Sequence, residues 1–200
     1  RLLKSRGSCM MKNILFMLSI LLFSACSKNQ AILEQKENKE LELKKELESK
    51  NELIAVIKEI SMLIANDNTD LLNSKYINNK IGAYEFFKDE DSKEIIFKHI
   101  KIIEELDDYV ASFEPIEEEI TFNCNSQNDS DYGWNKDGLF FFKKKDLKFF
   151  EKIKSLTNLQ NIESSSYEVI VTNNIVFVLS KIENSWFIVA VDMVKTDCME

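Results

Sequence analysis

The single histidine and the cysteines are the residues of this chain whose types could do nucleophilic or acid–base chemistry. A histidine-based triad would need His99 as its base, with Cys124, Cys198 or a serine as the nucleophile. The neighbours Lys98 and Lys101 supply no adjacent carboxylate that would orient the imidazole ring. We therefore interpret His99 as a structural residue, half-buried among apolar positions, rather than as a catalyst.

The acidic residues could support two-carboxylate hydrolysis or calcium binding. The 34 Asp and Glu residues give too many candidate pairs to locate a hydrolytic site. The loop Asn125–Gly138 contains Asp129, Asp131 and Asp137, but its spacing does not match the alternating carboxylates, central glycine and distal glutamate of a calcium loop. No G-x-S-x-G, H-E-x-x-H or phosphate-binding glycine motif occurs. We predict a non-catalytic protein without cofactor or metal, with a hydrolase using carboxylates or His99 as the alternative.

Residues 11–25 have the composition of an export signal. A lysine precedes the apolar run Ile14–Phe23, which is too short for a membrane span of about 20 residues. Residues 1–10 do not fit this pattern. Because Met10 and Met11 stand directly before the basic start, we expect translation to begin at one of them, and we exclude residues 1–10 from the prediction of the fold.

The end of this signal, Ser24-Ala25-Cys26, resembles the lipobox of bacterial lipoproteins, Leu-Ala/Ser-Gly/Ala-Cys. Phe23 departs from the usual aliphatic residue, with Leu22 one position early. The resemblance implies that Cys26 is lipidated, with palmitate among the acyl chains, and becomes the mature N-terminus. It also implies a location in the cell envelope, anchored to a membrane and facing the periplasm or the cell exterior. An ordinary secretory signal or an uncleaved anchor is the alternative.

Two cysteines, Cys124 and Cys198, remain once Cys9 and Cys26 are set aside. Export past a membrane would place them where disulfides persist, so we predict that they form a bridge. The bridge would close a loop of about 75 residues and stabilise the fold by roughly 4.5 kcal/mol in the chain-entropy view. The alternative is that both thiols stay reduced.

The charge balance bears on the class of partner. Residues 1–26 carry four basic and no acidic side chains, so the remainder carries 22 basic and 34 acidic residues, a net charge of −12. Such an acidic surface repels nucleic acids and anionic headgroups, and we expect no nucleic-acid partner. The hydrophobic fraction of 44% is enough to bury a core.

Residues 26–51 are predicted to form a lipidated cysteine followed by a polar helical stalk. This stretch contains no Gly or Pro, and two Glu–Lys pairs spaced by four residues would stabilise a helix. Its leucine stripe is too irregular for sustained heptads, so a short coiled-coil dimer is the alternative to a solvated stalk.

Residues 52–200 are predicted to form one globular domain. Before the C-terminal part, hydrophobic periodicity and turn formers predict a helix over Glu52–Ala65, a short helix ending at Tyr76, a strand at Gly82–Phe87, an amphipathic helix over Lys93–Phe113 that contains His99, strands at Glu118–Cys124 and Leu139–Phe142, and a helix over Asp146–Asn161.

The C-terminal part contains three β-rich runs, Tyr167–Thr172, Ile175–Ser180 and Trp186–Val191. Turn formers suited to tight hairpins separate them, which predicts an antiparallel three-strand meander. Helices should pack on this antiparallel sheet, so we predict an α+β domain.

The same runs carry a second resemblance. Tyr167-Glu-Val-Ile-Val, Trp186-Phe and Asp197-Cys198 are similar to the end of uncharacterised Bacteroidetes-type lipoproteins, in which a meander closes with an Asp-Cys motif. The similarity extends to Phe122-Asn-Cys124 and Trp134-Asn-Lys-Asp-Gly138 and covers about half of the chain after Cys26. It implies no activity and no catalytic residues. The sheet also resembles the cone-shaped fold of nuclear-transport-factor-2-like (NTF2-like) proteins.

The sequence therefore predicts a lipid-anchored, non-catalytic domain of the cell envelope that contacts an unknown protein or a small ligand besides the membrane. A small-ligand binder should contain an apolar cavity lined by Phe and Tyr residues. An interaction module should instead have a closed core and an exposed apolar patch.

Overall fold

The computed structural model describes residues 38–89, 91–92, 94–104, 106–124, 132–159 and 162–198. The chain divides into two compact units, Arg1–Asn51 and Glu52–Glu200. In the first unit, residues 38–51 are helical, and the side chains of residues 38–48 are exposed, as expected for a polar helix. The predicted signal peptide at 11–25 and Cys26 lie outside the described residues. Within the described ranges, no helix is both long and apolar enough to cross a membrane.

The second unit is an α+β domain, as predicted. Its elements in chain order are α1 (residues 52–65), α2 (Thr69–Tyr76), β1 (Ala83–Lys88), β2 (Ile95–Ile100), β3 (Pro115–Glu117), β4 (Phe122–Asn123), β5 (Gly133–Trp134), β6 (Leu139–Lys143), α3 (Leu147–Thr157), β7 (Ser166–Val171), β8 (Ile175–Ile182) and β9 (Ser185–Asp192).

Seven of the strands form one sheet in the order β2-β1-β9-β8-β7-β6-β3, and β4 and β5 form a separate two-stranded sheet. The C-terminal meander β7-β8-β9 is antiparallel and lies at the centre of the large sheet. The prediction of a purely antiparallel sheet is wrong, because β1 pairs with β9 and β3 pairs with β6 in parallel. Both parallel pairs join strands far apart in sequence, where no hairpin turn could reveal the direction of pairing.

One face of the large sheet is covered by α1 and α2. The apolar side chains of α1 recur every three or four residues, and Leu53, Ile57, Ile60 and Ile64 are at most 2% exposed. They pack in one cluster with alternate strand residues, among them Phe177 on β8. This arrangement follows from the two-residue period of a strand, which sends neighbouring side chains to opposite faces.

The other face is covered in two parts. Helix α3 begins at Asp146, whose Oδ1 accepts a hydrogen bond from Phe149 N at 3.1 Å. Its buried residues Phe149, Phe150 and Ile153 pack with Val178 and other residues of β1, β8 and β9. The β4–β5 hairpin covers a second cluster, in which Trp134 contacts the buried residues Ile120, Phe140, Ile170 and Val176. The candidate site lies where the hairpin meets the large sheet.

The predicted helix over Lys93–Phe113 is wrong. Ile95–Ile100 is an edge strand, paired antiparallel with β1, and the described part of 101–114 contains no helix or strand. The isoleucines that suggested a helical stripe are β-branched and fit a strand once β1 is available as partner. The segment that follows is held by Asn73, whose side chain bonds both the N–H and the C=O of Ile103 at 2.8 Å.

The strand predicted over Glu118–Cys124 is reduced to the two residues Phe122–Asn123. Ile120, which precedes them, is buried under the hairpin without joining a strand. The sequence pattern over Glu118–Cys124 therefore predicted burial correctly, but it predicted a longer strand than the structure contains.

Candidate functional site

His99 is an exposed strand residue rather than a half-buried helix residue, so that expectation is wrong. Its Nε2 lies 2.8 Å from the carbonyl oxygen of Ile81, and its ring centroid is 5.0 Å from that of Tyr84. Gly82 lies against the ring, where an added Cβ would stand 2.3 Å from Nε2. In the described part of the chain, no carboxylate hydrogen-bonds to His99, and these contacts fit a structural role.

Cys124 and Cys198 are joined in a disulfide, with Cα atoms 5.3 Å apart and a sequence separation of 74. Neither sulphur is therefore a free nucleophile for a cysteine–histidine pair. Across the described residues, no group of three or more His, Cys, Asp or Glu side chains could hold a metal ion. Asp129 and Asp131 of the loop considered for calcium lie outside the described residues.

Three aromatic rings of the β4–β5 hairpin meet at one place. Phe122 and Trp134 are directly paired across the two strands, with ring centroids 5.2 Å apart and planes at 84°. Tyr132 meets Phe122 at 5.6 Å and 79°. Edge-to-face packing of this kind is favourable and leaves ring faces at right angles to one another. The hairpin is thus held as an aromatic cluster despite its two-residue strands.

A pocket of about 310 Å³ lies between this aromatic cluster and the large sheet. Its remaining walls come from the β7–β8 turn and from the chain after β9. The lining residues are Phe122, Tyr132, Trp134, Val171, Asn173, Asn174, Ile175, Val176, Asp192, Met193 and Thr196. Its volume lies at the lower end of the range for small-ligand sites, and its walls combine aromatic and aliphatic side chains with polar groups in about equal parts.

A buried ion network lies beside the pocket on the same face of the sheet. Glu168 is 2% exposed, and its two carboxylate oxygens are each paired with an ammonium, Oε2 with Lys144 at 2.6 Å and Oε1 with Lys195. Lys144 Nζ also lies 5.2 Å from the ring centroid of Phe149, and Lys195 Nζ lies 4.8 Å from that of Phe142. Ion pairing together with cation–π contacts makes burial of these two ammonium groups tolerable.

Asp192 connects the network to the pocket. Its Oδ2 is 3.9 Å from Lys144 Nζ, and its Oδ1 accepts hydrogen bonds from Val194 N at 2.9 Å and Lys195 N at 3.0 Å. Burial raises the pKa of this carboxyl, the Lys144 ammonium opposes that effect, and the Glu168 carboxylate adds to it. Asp192 is therefore a buried acid with a raised pKa that reaches a ligand-sized pocket.

The disulfide joins two walls of this pocket. Cys124 follows Phe122 by two residues, and Cys198 follows Thr196 by two residues. The bridge therefore ties the hairpin to the segment 193–198, which also carries Lys195 of the ion network.

These residues come together through the fold, which explains why the sequence did not single them out. Lys144, Glu168 and Asp192 are 24 residues apart at each step and lie on different strands or loops. The one available signal is a charged residue within an apolar strand, as in Tyr167-Glu-Val-Ile-Val and Val189-Ala-Val-Asp192.

Comparison with protein-family models, curated proteins and solved structures finds no match to this chain.

Proposed function

We propose that this chain is a lipid-anchored protein of the cell envelope whose compact domain binds a small ligand in the aromatic pocket. The observation that carries the proposal is the pocket of about 310 Å³ lined by Phe122, Tyr132 and Trp134. An aromatic cavity was the feature expected of a small-ligand binder, and this pocket lies under the hairpin rather than in the α1–α2 core. Asp192 and the asparagines of the β7–β8 turn supply the few polar groups that orient a ligand.

The anchoring part of the proposal rests on Ser24-Ala25-Cys26 and the apolar run before it. Acylation of Cys26 would add several chains, each contributing about 0.8 kcal/mol per buried CH₂, which is enough for stable membrane attachment. The exposed polar helix at residues 38–51 is compatible with a solvated connection that follows the anchor. We keep the NTF2-like relationship as part of this proposal, on the ground of the resemblance noted for the C-terminal strands.

A screen of small neutral fragments by saturation-transfer NMR tests the pocket. We expect fragments that bind the full chain in detergent and lose at least tenfold in affinity for the Trp134→Ala variant, because the pocket loses its largest ring. Leu156→Ala, on the exposed side of α3, is the matched control and should bind unchanged. Fragments that bind both variants equally, or no binding fragments at all, would reject the proposal.

A protein-interaction module is the second candidate, and the edge strand β2 favours it. Ile95 and Ile96 are 55% and 40% exposed, and among the described strands only β1 pairs with β2. Such an edge can accept a strand from a protein partner. A photo-crosslinking residue at position 96 would then give a discrete adduct in envelopes, while the same residue at the exposed Lys145 would not.

A further inference from the structure

The ring geometry of the aromatic cluster leaves two ligand classes open. The planes of Phe122 and Trp134 stand at 84°, those of Phe122 and Tyr132 stand at 79°, and all three rings line the pocket. Such a surface packs against the apolar C–H face of a ring-shaped ligand, or against an organic ammonium ion through cation–π attraction. The charges beside the pocket discriminate between these two classes.

The charge balance disfavours a cation. Asp192 is the one charged residue that lines the pocket in the described part of the chain, and Lys144 Nζ already lies 3.9 Å from it. Glu168 is shared by Lys144 and Lys195, so the four ionised groups sum to zero net charge. An ammonium ligand would therefore meet no excess negative charge and would be repelled by a lysine close to its counter-ion.

The polar groups that remain fit a ligand with hydroxyls. Asp192 lines the pocket, and its Oδ2 lies beyond hydrogen-bonding distance of Lys144, so that lysine does not use its acceptor capacity. Asn174 donates two hydrogen bonds from Nδ2, to the carbonyl oxygens of Asp107 and Tyr109. These bonds fix the orientation of its side-chain amide. Thr196 adds an exposed hydroxyl. Acceptors and donors at the rim of an aromatic pocket match a molecule whose groups both donate and accept.

We infer that the pocket binds a neutral carbohydrate ring, with its apolar face on the aromatic cluster and a hydroxyl donating to Asp192. This inference rests on the proposed function, since it names the class of ligand for the same pocket. A carbohydrate satisfies both halves of the site, because one side of a pyranose presents C–H groups and its edges present hydroxyls. A neutral ligand leaves the charge balance between Asp192 and Lys144 unchanged while Asp192 Oδ2 accepts from a ligand hydroxyl.

Fluorescence of Trp134 provides the test. In a Trp186→Phe background Trp134 is the only indole, since the chain has two tryptophans. Trp186 is buried, and its Nε1 has no hydrogen-bond partner among the residues that the structure describes, so phenylalanine removes no hydrogen bond seen there. The full chain in a polyoxyethylene detergent is titrated with glucose, galactose and N-acetylglucosamine, and separately with cyclohexanol and tetramethylammonium. Glycoside and choline detergents are avoided because they would compete.

We expect at least one sugar to shift the Trp134 emission saturably, with an affinity at least tenfold above those of cyclohexanol and tetramethylammonium. Asp192→Asn should weaken that sugar about tenfold and leave cyclohexanol unchanged. Thr196→Val, at an exposed position, provides a second variant if Asp192→Asn does not fold, and it should weaken the sugar severalfold. Circular dichroism of each variant checks the fold.

Two results would overturn the inference. Tighter binding of tetramethylammonium or cyclohexanol than of every sugar would reject the carbohydrate class and leave the pocket as a ligand site. Absence of any sugar response also rejects it, and the fragment screen on Trp134→Ala then decides separately whether the pocket binds small molecules at all.

Discussion

Glu168 pairs with both lysines of the ion network on the sheet face that α3 and the β4–β5 hairpin cover. It lies within β7, opposite Phe142 on β6 and Val178 on β8, where an apolar side chain would be expected. Both of its oxygens are consumed by Lys144 and Lys195. Removing one partner of a buried ion pair is costly because the remaining charge stays buried without compensation.

We therefore expect Glu168→Ala to lower the free energy of unfolding by about 3–5 kcal/mol, measured by urea denaturation. Lys98→Gln is the matched control, because the Lys98–Glu85 pair is 3.3 Å long and the lysine is 64% exposed. Its loss should change the free energy of unfolding by less than about 1 kcal/mol. Equal effects of the two substitutions would mean that the Glu168 network is not buried as described.

The pH dependence of stability should report the raised pKa of Asp192. A carboxyl whose pKa is higher in the folded than in the unfolded state stabilises the fold below its ordinary pKa, and that contribution is lost as the pH rises through the folded-state pKa. Asp192→Asn lacks this ionisation and keeps an acceptor for the N–H groups of Val194 and Lys195.

Urea denaturation of Asp192→Asn and the parent chain from pH 4 to pH 7 measures this effect. The variant should gain stability relative to the parent as the pH rises. A parent that gains relative to the variant over that interval would show that the pKa of Asp192 is lowered instead.

Among the helices and strands, the sequence predicts those that depend on local apolar periodicity and misses those that depend on pairing between strands. The α1 helix, the α3 helix and the β7–β9 meander follow from apolar spacing and turn residues, and they are present within a few residues of their predicted bounds. Lys93–Phe113 has a comparable apolar stripe, but the pairing of Ile95–Ile100 with β1 overrides it. A local sequence pattern does not show whether a partner strand is available, so it cannot predict whether the helix or the strand forms.

The candidate site likewise contains some residues that could be predicted from the sequence and others that could not. Cys124 and Cys198 could be paired by counting cysteines, because few alternatives existed. The aromatic pocket could not be located, because β4 and β5 have two residues each and give no strand pattern. Lys144, Glu168 and Asp192 likewise become neighbours only through the register of β6, β7 and β9.

The disulfide should stabilise both the fold and the pocket. The double substitution Cys124→Ser/Cys198→Ser should lower the free energy of unfolding by about 4.5 kcal/mol in the chain-entropy view. It should also weaken fragment binding at least tenfold, because the hairpin and the segment 193–198 are no longer tied together. Urea denaturation and saturation-transfer NMR measure the two effects.

Thiol titration of the denatured, unreduced chain provides the check on oxidation. We expect Cys124 and Cys198 to be unreactive before reduction and to give two further thiols after it. Two reactive thiols at these positions before reduction would contradict the bridge.

At the scale of the whole molecule, anchoring and ligand binding are separable. The proposed anchor is Cys26, whereas the pocket lies in the unit Glu52–Glu200. Each can therefore be removed by a substitution that leaves the other intact, and the two parts of the proposed function can fail independently.

Cys26→Ser should abolish lipidation and either release the protein in soluble form or leave it unprocessed. Fractionation of cells, together with mass spectrometry of the N-terminus, measures both outcomes. Ser27→Ala is the matched control and should stay membrane-bound. A Cys26→Ser protein that is processed and retained like the parent would overturn the lipoprotein assignment.

The most direct test of the ligand site is an NMR titration of the two indole N–H resonances in the ¹⁵N-labelled chain. Trp134 lines the pocket, whereas Trp186 is buried in the cluster beneath α1 and serves as an internal control. We expect fragments selected by binding to shift the Trp134 resonance progressively and to leave that of Trp186 in place. Fragments that bind while the Trp134 resonance stays fixed would contradict it.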